Sequence, residues 1–269
     1  MIIANKYNHL NGLEYLIVNK DDQYKEILNC IKSIDANLHM KISGDKANLG
    51  KVYYNQDQIN KAFVKTLNTF SWHSRRIEYY VTGDETTTRD IIHIREKAEQ
   101  LSILEERGLK AYSTYNQVDF QKDRVAVEVQ FGKYFSVAYD LHVKHTFFYS
   151  RNDIDVGIEV IPTKAMEEHM DTGVPWFENE VTNVIREGRT NPPIPILILG
   201  IEPEIITSFE PTEYSDDEII RFLRQTSTRS MNTLRRNIQE AEKSSNSNSE
   251  KSERVKKVKR CLVILDTRA

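Results

Sequence analysis

The sequence lacks most features that mark secreted, membrane and zinc-binding proteins. Cysteine occurs twice, at Cys30 and Cys261, which is too few for a disulfide framework or a cysteine-rich zinc site and fits a reduced chain. No apolar run approaches the roughly 18 residues that a membrane span needs. The first residues show no basic segment followed by a long apolar stretch, so we expect no signal peptide. These absences together predict a soluble globular protein of the cytoplasm.

An overall excess of positive charge is also missing. The 37 Lys and Arg residues stand against 40 Asp and Glu residues, giving a net charge of −3. The distribution is uneven, because residues 221–260 contain twelve basic and four acidic residues, a balance of +8, which leaves −11 for the rest. A chain of this kind suits a DNA-facing surface combined with an acidic metal site, and a basic face exposed to solvent explains the segment equally well.

Hydrophobic periodicity predicts three parts within a single domain over 1–269. Residues 1–110 are predicted to be mainly helical, with helices over 24–34, 59–70 and 89–107. Residues 111–205 alternate between strands (124–131, 154–162 and 194–200) and helices (136–150 and 174–188). Strands that alternate with helices predict an α/β fold with a three-layer core.

Residues 206–269 form a predicted C-terminal extension. It contains helices over 216–226 and 229–243, a mobile polar loop near 244–253 and a returning strand over 258–267. The basic stretch KSERVKKVKR at 251–260 has two interpretations. It is either an arm that grips DNA phosphates without reading sequence or a solubilising loop before the last strand.

The segment VDFQKDRVAVEVQF at 118–131 carries polar residues where a buried strand is expected. Alternation places Val125, Val127, Val129 and Phe131 on one face, and Ala126, Glu128 and Gln130 on the other. A tight hairpin through KDR would bring Asp119 alongside Glu128. Because two adjacent carboxylates repel each other, this arrangement indicates a divalent cation between them.

An Asp followed by Glu-x-polar on one strand is the pattern of magnesium-dependent nucleases. Asp119 and Glu128 would bind the cation, which neutralises charge on the phosphate, and the third residue would orient the attacking water. That residue is usually Lys, whereas Gln130 can neither act as a base nor carry charge. The base would then be a metal-activated hydroxide or a phosphate oxygen of the substrate. By spacing alone, an edge strand with solvated polar residues explains the pattern too.

The residues around this pattern favour the nuclease interpretation over a solvated edge strand. VDFQKDRVAVEVQFGKYFSVAYDL resembles the catalytic segment of the BglII/BstYI group of type II restriction endonucleases, within the PD-(D/E)xK superfamily. Similar stretches follow in order over most of the chain, among them HMKISGDKANLGKVYYN, KHTFFYSRNDIDVGIEVIPTKAM and IPILILGIEP. The resemblance implies a restriction-endonuclease-like core with a central mixed sheet flanked by helices.

The resemblance also implies a function. It implies a homodimer that cleaves both strands of duplex DNA at a short palindrome, with Mg²⁺ (or Mn²⁺ in its place), and a cognate methyltransferase that protects the host DNA. By position, Asp119 and Glu128 are implied metal ligands and Gln130 the water-positioning residue. A purine-flanked GATC core is the implied target. Two other hypotheses are a DNA-binding module that does not cut and a repair or recombination nuclease of the same fold.

Residues that read the DNA are implied by position as well. Lys133 lies where the group reaches a base edge, and an ammonium there suits guanine. Asp171 and Thr172 lie in a base-contacting loop, although an acidic side chain departs from the group's pattern.

The resemblance also implies a further polar residue near the metal, around 72–74, where His73 is a candidate.

Other polar residues have less specific interpretations. We expect Lys144 and His145 to lie on a polar helix face that contacts a DNA phosphate, and reject a zinc site with His142. Asp155 and Glu159 share the outward face of their strand. They are expected on an edge strand, satisfied by Lys or Arg neighbours, and a second acidic cluster is the alternative. Trp176 is predicted to pack in the core or at a dimer interface rather than to stack on a base.

Overall fold

The computed structural model describes residues 1–243 and 249–267. Its strands are β1 (Ile2–His9), β2 (Met40–Ile42), β3 (Val52–Tyr54), β4 (His73–Val81), β5 (Tyr112–Lys122), β6 (Val125–Val129), β7 (Val156–Pro162) and β8 (Ile196–Glu202). Six of them form one mixed sheet in the spatial order β1-β8-β7-β6-β5-β4, and β2 and β3 form a separate antiparallel pair. The strands β6, β7 and β8 are parallel to one another, and the other three sheet strands are antiparallel to their neighbours.

Helices cover both faces of this sheet. They are α1 (Gly12–Asn19), α2 (Asp21–Ser33), α3 (Gln56–Thr69), α4 (Glu85–Ile91), α5 (Lys97–Glu106), α6 (Phe135–Tyr139), α7 (Thr146–Ser150), α8 (Lys164–Glu167), α9 (Phe177–Glu187), α10 (Asp216–Gln225), α11 (Thr228–Lys243) and α12 (Ser249–Thr267). A π-helical segment, Asp140–His145, joins α6 to α7 without a break. The fold is therefore the predicted α/β core with a central mixed sheet flanked by helices.

Two apolar layers fill the space between sheet and helices. Val125, Val127 and Val129 point to one face, where they join a large core built with α1, α2, α3, α10, α11 and α12. The opposite face of the parallel strands packs on α6, α7 and α9. The parallel strands are buried on both faces, which is why they read as nearly continuous runs of Val, Ile and Leu. Glu128 lies among them, on the face covered by α6 and α7.

Most of the predicted elements are confirmed. The strands predicted at 124–131, 154–162 and 194–200 are β6, β7 and β8, and the helix predicted over 136–150 is α6 with the π segment and α7. The N-terminal part contains five of the helices, but it also supplies β1 and β4 to the sheet. The prediction did not include these strands, because β1 is a largely exposed edge without clear alternation.

The prediction for the C-terminal end is wrong. Residues 258–267 belong to the long helix α12 and not to a strand. Val255, Val258, Cys261 and Leu262 are buried on it, at spacings of three and four that place them on one helical face. The predicted mobile loop at 244–253 lies partly outside the described residues, and its described end from Ser249 is helical. The basic stretch is therefore neither a free arm nor a loop.

Candidate active site

The two carboxylates predicted to act together lie opposite each other on a hairpin. The turn between β5 and β6 consists of Asp123 and Arg124, both with positive φ (45° and 68°), as two-residue hairpin turns require. This turn pairs Phe120 with Val127, and the same register continued by one residue sets Asp119 against Glu128. Directly opposed residues of antiparallel strands share one face of the sheet. The Val129 N–H donates to Asp119 Oδ2 at 3.3 Å, which ties the two strands together at this point.

Glu128 is a carboxylate in an unfavourable place. It is only 1% exposed, and its Oε1 is buried without a hydrogen-bond partner. Burial, with the negative charges of Asp119 and Asp140, raises the pKa of Glu128 well above its usual value. A protein retains such a group when something outside the chain compensates it. The orphaned oxygen facing a second carboxylate therefore fits a cation.

A second buried acid lies beside Glu128. Glu159, on β7, is paired in register with Glu128 on β6 and is completely buried. The prediction of a solvated edge strand is wrong for this residue, because β7 is flanked by β6 and β8. Burial, followed by the charges of Asp140 and Glu128, raises the pKa of Glu159 well above its usual value. Asp155 behaves as predicted and pairs with Arg124 at 2.7 Å.

His145 lies behind Glu159 and not on the DNA-facing surface. Its side chain is fully buried, with Nε2 at 3.5 Å from Glu159 Oε2, so the prediction that it contacts a DNA phosphate is wrong. Burial, together with the charge of Lys144, lowers the pKa of His145 to about 3. Its ring occupies the space beside Gly157, where a Cβ would approach Nδ1 to 2.8 Å. His145 therefore packs behind Glu159 as a neutral imidazole.

Two further charged residues complete the cluster from the π-helical segment. Asp140 is 1% exposed. The Lys144 ammonium lies 2.7 Å from Asp140 Oδ1 and 3.2 Å from Glu128 Oε2. Burial opposes the charge on Lys144, but Glu128 and Asp140 outweigh it and raise the pKa of the lysine. The sequence interpretation missed Asp140; the spacing of four between Asp140 and Lys144 was the available signal.

Gln130 directly follows β6, and both the oxygen and the nitrogen of its amide are hydrogen-bonded. Its Oε1 accepts from the Gly132 N–H at 2.8 Å, and its Nε2 donates to Asp140 Oδ2 at 3.0 Å. Gly132 is required for this approach, because a Cβ there would lie 2.5 Å from Gln130 Oε1. The side chain thus connects the end of β6 to the acid on the π-helical segment.

Two cavities open beside Asp119. The larger, about 530 Å³, is lined by Tyr115, Asn116, Gln117, Asp119, Tyr139 and Lys144. The second, about 270 Å³, lies between α3 and the β4–β5 strands and includes Asn60 and Ser74. Asn60 has a buried side-chain oxygen without a partner, and no local pattern in the sequence predicts that α3 would bring it here. His73 is exposed at the start of β4, opposite Gln121.

The two predicted recognition loops are neighbours. The Tyr134 N–H donates to the Gly173 carbonyl at 2.7 Å, so the turn with Lys133 joins the loop that contains Asp171 and Thr172. All three of these side chains are exposed. Asp171 forms an ion pair with Lys41, which offsets the negative charge that departs from the expected pattern.

The other predicted residues lie outside this cluster. His142 Nε2 contacts Glu187 at 2.9 Å, on the far side of the π-helical segment from Glu128. Trp176 is half-buried at the start of α9, with the Lys164 ammonium 4.7 Å from its ring centroid. Arg254, Lys257, Lys259 and Arg260 of the basic segment are paired with acids of neighbouring elements.

Comparison with known proteins decides the family. The sequence profile described as restriction endonuclease BglII/BglIII matches residues 4–201. The chain belongs to the BglII/BglIII restriction endonuclease family. It is accordingly a type II site-specific nuclease that acts on duplex DNA, in a family that generally uses a divalent metal. No curated protein sequence matches the chain.

A solved structure supports this fold. The crystal structure of restriction endonuclease BglII complexed with a DNA 16-mer superposes with a TM-score of 0.52 at 17% identity, covering 77% of this chain and 79% of that one. The structure of free BglII gives a TM-score of 0.47 at 16% identity, with 77% and 82% covered. In the described part of the chain, no helix is long and apolar enough to cross a membrane.

Proposed function

We propose that this restriction endonuclease is a homodimer that hydrolyses both strands of duplex DNA with Mg²⁺, leaving 5′-phosphate and 3′-hydroxyl ends. Mn²⁺ is expected to replace Mg²⁺. The observation that carries the proposal is the carboxylate pair at Asp119 and Glu128: the Glu128 Oε1 is buried without a hydrogen-bond partner, and Asp119 opposite it lines a cleft. A purine-flanked palindrome with a GATC core is the proposed target, and a methyltransferase in the same cell protects it in the host genome.

Asp119 and Glu128 are the proposed metal ligands. Among the described residues, no group of three or more His, Cys, Asp or Glu side chains could hold a metal. A cation bound here would therefore take two protein carboxylates and complete its shell with water and phosphate oxygens, which suits Mg²⁺ better than a metal that needs a closed protein cage. When bound, the cation supplies charge neutralisation at the phosphate and activation of water.

The chain itself prepares the site for that chemistry. Asp119 is half-buried and opens to the cleft, whereas Glu128 is held beneath it by the sheet. The fixed register prevents the two carboxylates from separating when they repel each other, so their charges stay concentrated at one point. In-line attack forms a bond between water oxygen and phosphorus while the bond from phosphorus to the 3′ oxygen breaks. The attacking water releases a proton to solvent or to a phosphate oxygen, and the 3′ oxygen takes a proton from solvent.

Specificity is proposed to lie in the two joined loops. Lys133 would donate to the O6 and N7 acceptors of guanine, and Asp171 would accept from the N4 amino group of cytosine. Thr172 adds a hydroxyl that can donate or accept. Because Tyr134 and Gly173 connect the loops through their backbones, the three side chains are presented as one surface beside the cleft.

The test is cleavage of defined DNA by the purified protein. Plasmid and a panel of duplexes containing palindromic GATC variants are incubated with Mg²⁺, Mn²⁺ or chelator, and the fragment ends are sequenced. We expect double-strand cuts at one palindrome, with metal only. Cutting of branched DNA in preference to duplex would favour a repair nuclease instead, and absence of any cutting would contradict the proposal.

A matched pair of variants assigns the site. Asp119→Asn should abolish cleavage and retain binding of the cognate duplex, because only the metal-binding charge is removed. Asp123→Asn makes the same chemical change in the exposed turn of the same hairpin, where Asn tolerates a positive φ, and should cleave normally. If Asp119→Asn cuts as fast as the wild type, the assigned metal site is wrong.

A further inference from the structure

The catalytic strand ends without the lysine that this type of site usually carries, yet an ammonium lies in the cluster. Among the described residues, Lys144 is the lysine or arginine within 4.0 Å of Glu128 and of Asp140. It comes from the π-helical segment above the strand and not from the strand itself. The acids that surround it, Asp119, Glu128, Asp140 and Glu159, outnumber it four to one. A single ammonium held among four acids is a specific part of this site and not an ordinary surface charge.

The side chains of Gln130 and Lys144 point to different parts of the site. Gln130 uses its oxygen for the Gly132 N–H and its amide nitrogen for Asp140. Lys144 lines the 530 Å³ cleft together with Asp119 and keeps 19% of its side chain exposed there. An ammonium has three donors, and one of them makes the hydrogen bond to Glu128 Oε2. The Asp140 carboxylate contacts the same ammonium as an ion pair, and the exposed part of the lysine side chain lines the cleft in which a DNA phosphate would lie.

The π-helical segment explains how this lysine reaches the cluster. Bonding from residue i to i+5 widens the turn, and such turns are frequent at functional sites. As a result, two residues adjacent in sequence both point towards the sheet, Lys144 to Glu128 on β6 and His145 to Glu159 on β7. Asp140, one turn earlier, holds the ammonium from the other side at 2.7 Å.

We infer that Lys144 supplies the positive charge that the strand lacks, by contacting the phosphate at the point of attack, and that Gln130 is a positioning residue that acts on Lys144 through Asp140. The inference rests on the proposed function of Asp119 and Glu128. The lysine stays protonated throughout: it stabilises negative charge on the phosphate oxygens and orients the attacking water, while the proton of the water leaves to solvent or to a phosphate oxygen. Gln130 then has no direct contact with the reacting atoms.

A double-mutant cycle tests the connection. Single-turnover cleavage of a saturating cognate duplex is measured for Lys144→Met, Gln130→Ala and the double variant. Loss of an ammonium that stabilises transition-state charge should reduce the rate roughly 10²- to 10³-fold, and Gln130→Ala should reduce it less. If Gln130 acts through Lys144, the double variant is about as slow as Lys144→Met alone, since coupled residues are not additive. Multiplied losses would show that Gln130 acts independently.

DNA binding gives a readout that does not depend on cleavage. The affinity for the cognate duplex is measured with Ca²⁺ at several salt concentrations. A lysine on a phosphate contributes about one unit to the slope of log affinity against log salt, so Lys144→Met should lower that slope by about one. Lys32→Met, on the exposed last turn of α2, is the matched control and should leave rate and slope unchanged. An unchanged slope for Lys144→Met would place the lysine off the phosphate.

Rescue completes the design. Gln130→Lys in the Lys144→Met background returns an ammonium to the strand and should recover at least about tenfold of the lost rate. If Lys144→Met does not fold, Lys144→Gln takes its place in every arm. A folded variant at position 144 that cleaves within about threefold of the wild type overturns the inference, whereas a wild type that never cleaves overturns the proposed function instead.

Discussion

Two acids of this protein, each touched by a lysine, show opposite responses to their surroundings. On the exposed face of α10, Asp216 contacts Lys257 and Arg260, each at 2.6 Å, and hydrogen bonds from these two residues lower its pKa to about 2. Under α6 and the π-helical segment, Glu128 contacts Lys144 at 3.2 Å, yet burial and the charges of Asp119 and Asp140 raise its pKa. The Asp216 carboxylate is fully compensated by its two cationic partners, whereas one lysine does not compensate the burial and the neighbouring charges of the Glu128 carboxylate.

The difference separates charge that serves packing from charge that serves chemistry. The basic segment around Lys257 has the composition of a DNA-binding arm, but four of its six cations are paired with acids of the same chain and its apolar face is buried. The acidic cluster has an ordinary composition and an unfavourable placement. An uncompensated buried charge is therefore a better indicator of function here than the local density of charge.

The largest expected effect comes from neutralising the unfavourable acid. Glu128→Gln should reduce the cleavage rate by roughly 10³-fold or more, because it removes a proposed metal ligand without changing shape. Asp216→Asn, the same type of change at the satisfied acid, should leave the rate within about twofold of the wild type. Single-turnover cleavage measures both. If both variants lost the same fraction of the cleavage rate, Glu128 would be no more important for cleavage than Asp216.

A polar residue in the buried face of α12 tests whether the basic segment is structural. Val258 is completely buried and Val263, on the same helix, is 56% exposed. Val258→Asp should lower the free energy of unfolding by about 3–5 kcal/mol or prevent folding, since an unpaired charge is buried. Val263→Asp should change it by less than about 0.5 kcal/mol. Urea denaturation is the measurement, and similar losses in both variants would contradict the helical packing.

The buried acid behind the site should make stability depend on pH. The folded pKa of Glu159 is raised above the ordinary value of 4.5, so the folded state binds the proton more tightly, and stability is lost as pH rises from the unfolded towards the folded pKa. The loss is at most about 1.4 kcal/mol per pH unit. Glu159→Gln should therefore stabilise the metal-free protein, and the gain should grow as the pH is raised above about 5.

Glu78 provides the control of opposite sign. It is exposed, and a hydrogen bond from Lys97 lowers its pKa, so its contribution is present above the unfolded pKa and is lost in acid. Glu78→Gln should therefore lower stability slightly and by a constant amount over the same pH range. Thermal denaturation without metal measures both variants. A gain for Glu159→Gln that does not change with pH would contradict ionisation as its cause.

The smallest effect is expected from the basic segment itself. Lys257→Gln with Arg260→Gln should lower the free energy of unfolding only slightly, because ion pairs near the protein surface contribute little. The salt slope of DNA binding should not change, since both cations already have Asp216 as their partner. A slope reduced by about two would show that the segment leaves Asp216 to reach phosphate.

Local pattern was enough for some elements and misleading for others. The run CLVIL near the C-terminus predicts a strand when it is considered alone, although Val255, Val258 and Leu262 follow a helical spacing. Short apolar runs fit both periods, and only the preceding residues distinguish them. For Glu159, the local pattern correctly predicted a strand, but it did not indicate that this strand has a neighbouring strand on each side. Sheet order depends on contacts between distant segments, which no local period records.

Local sequence is enough to specify the hairpin that opposes Asp119 and Glu128, because a two-residue turn fixes the register and a period of two fixes the face. The residues around that hairpin also identify the family. Packing between distant segments, in contrast, buries Glu159 beside Glu128 and brings Asp140 and Lys144 to the cluster from a π-helical turn. The physical reason is range: hydrogen bonding along a hairpin is set by neighbours in the chain, whereas desolvation and charge at the site are set by whichever distant segments pack over it.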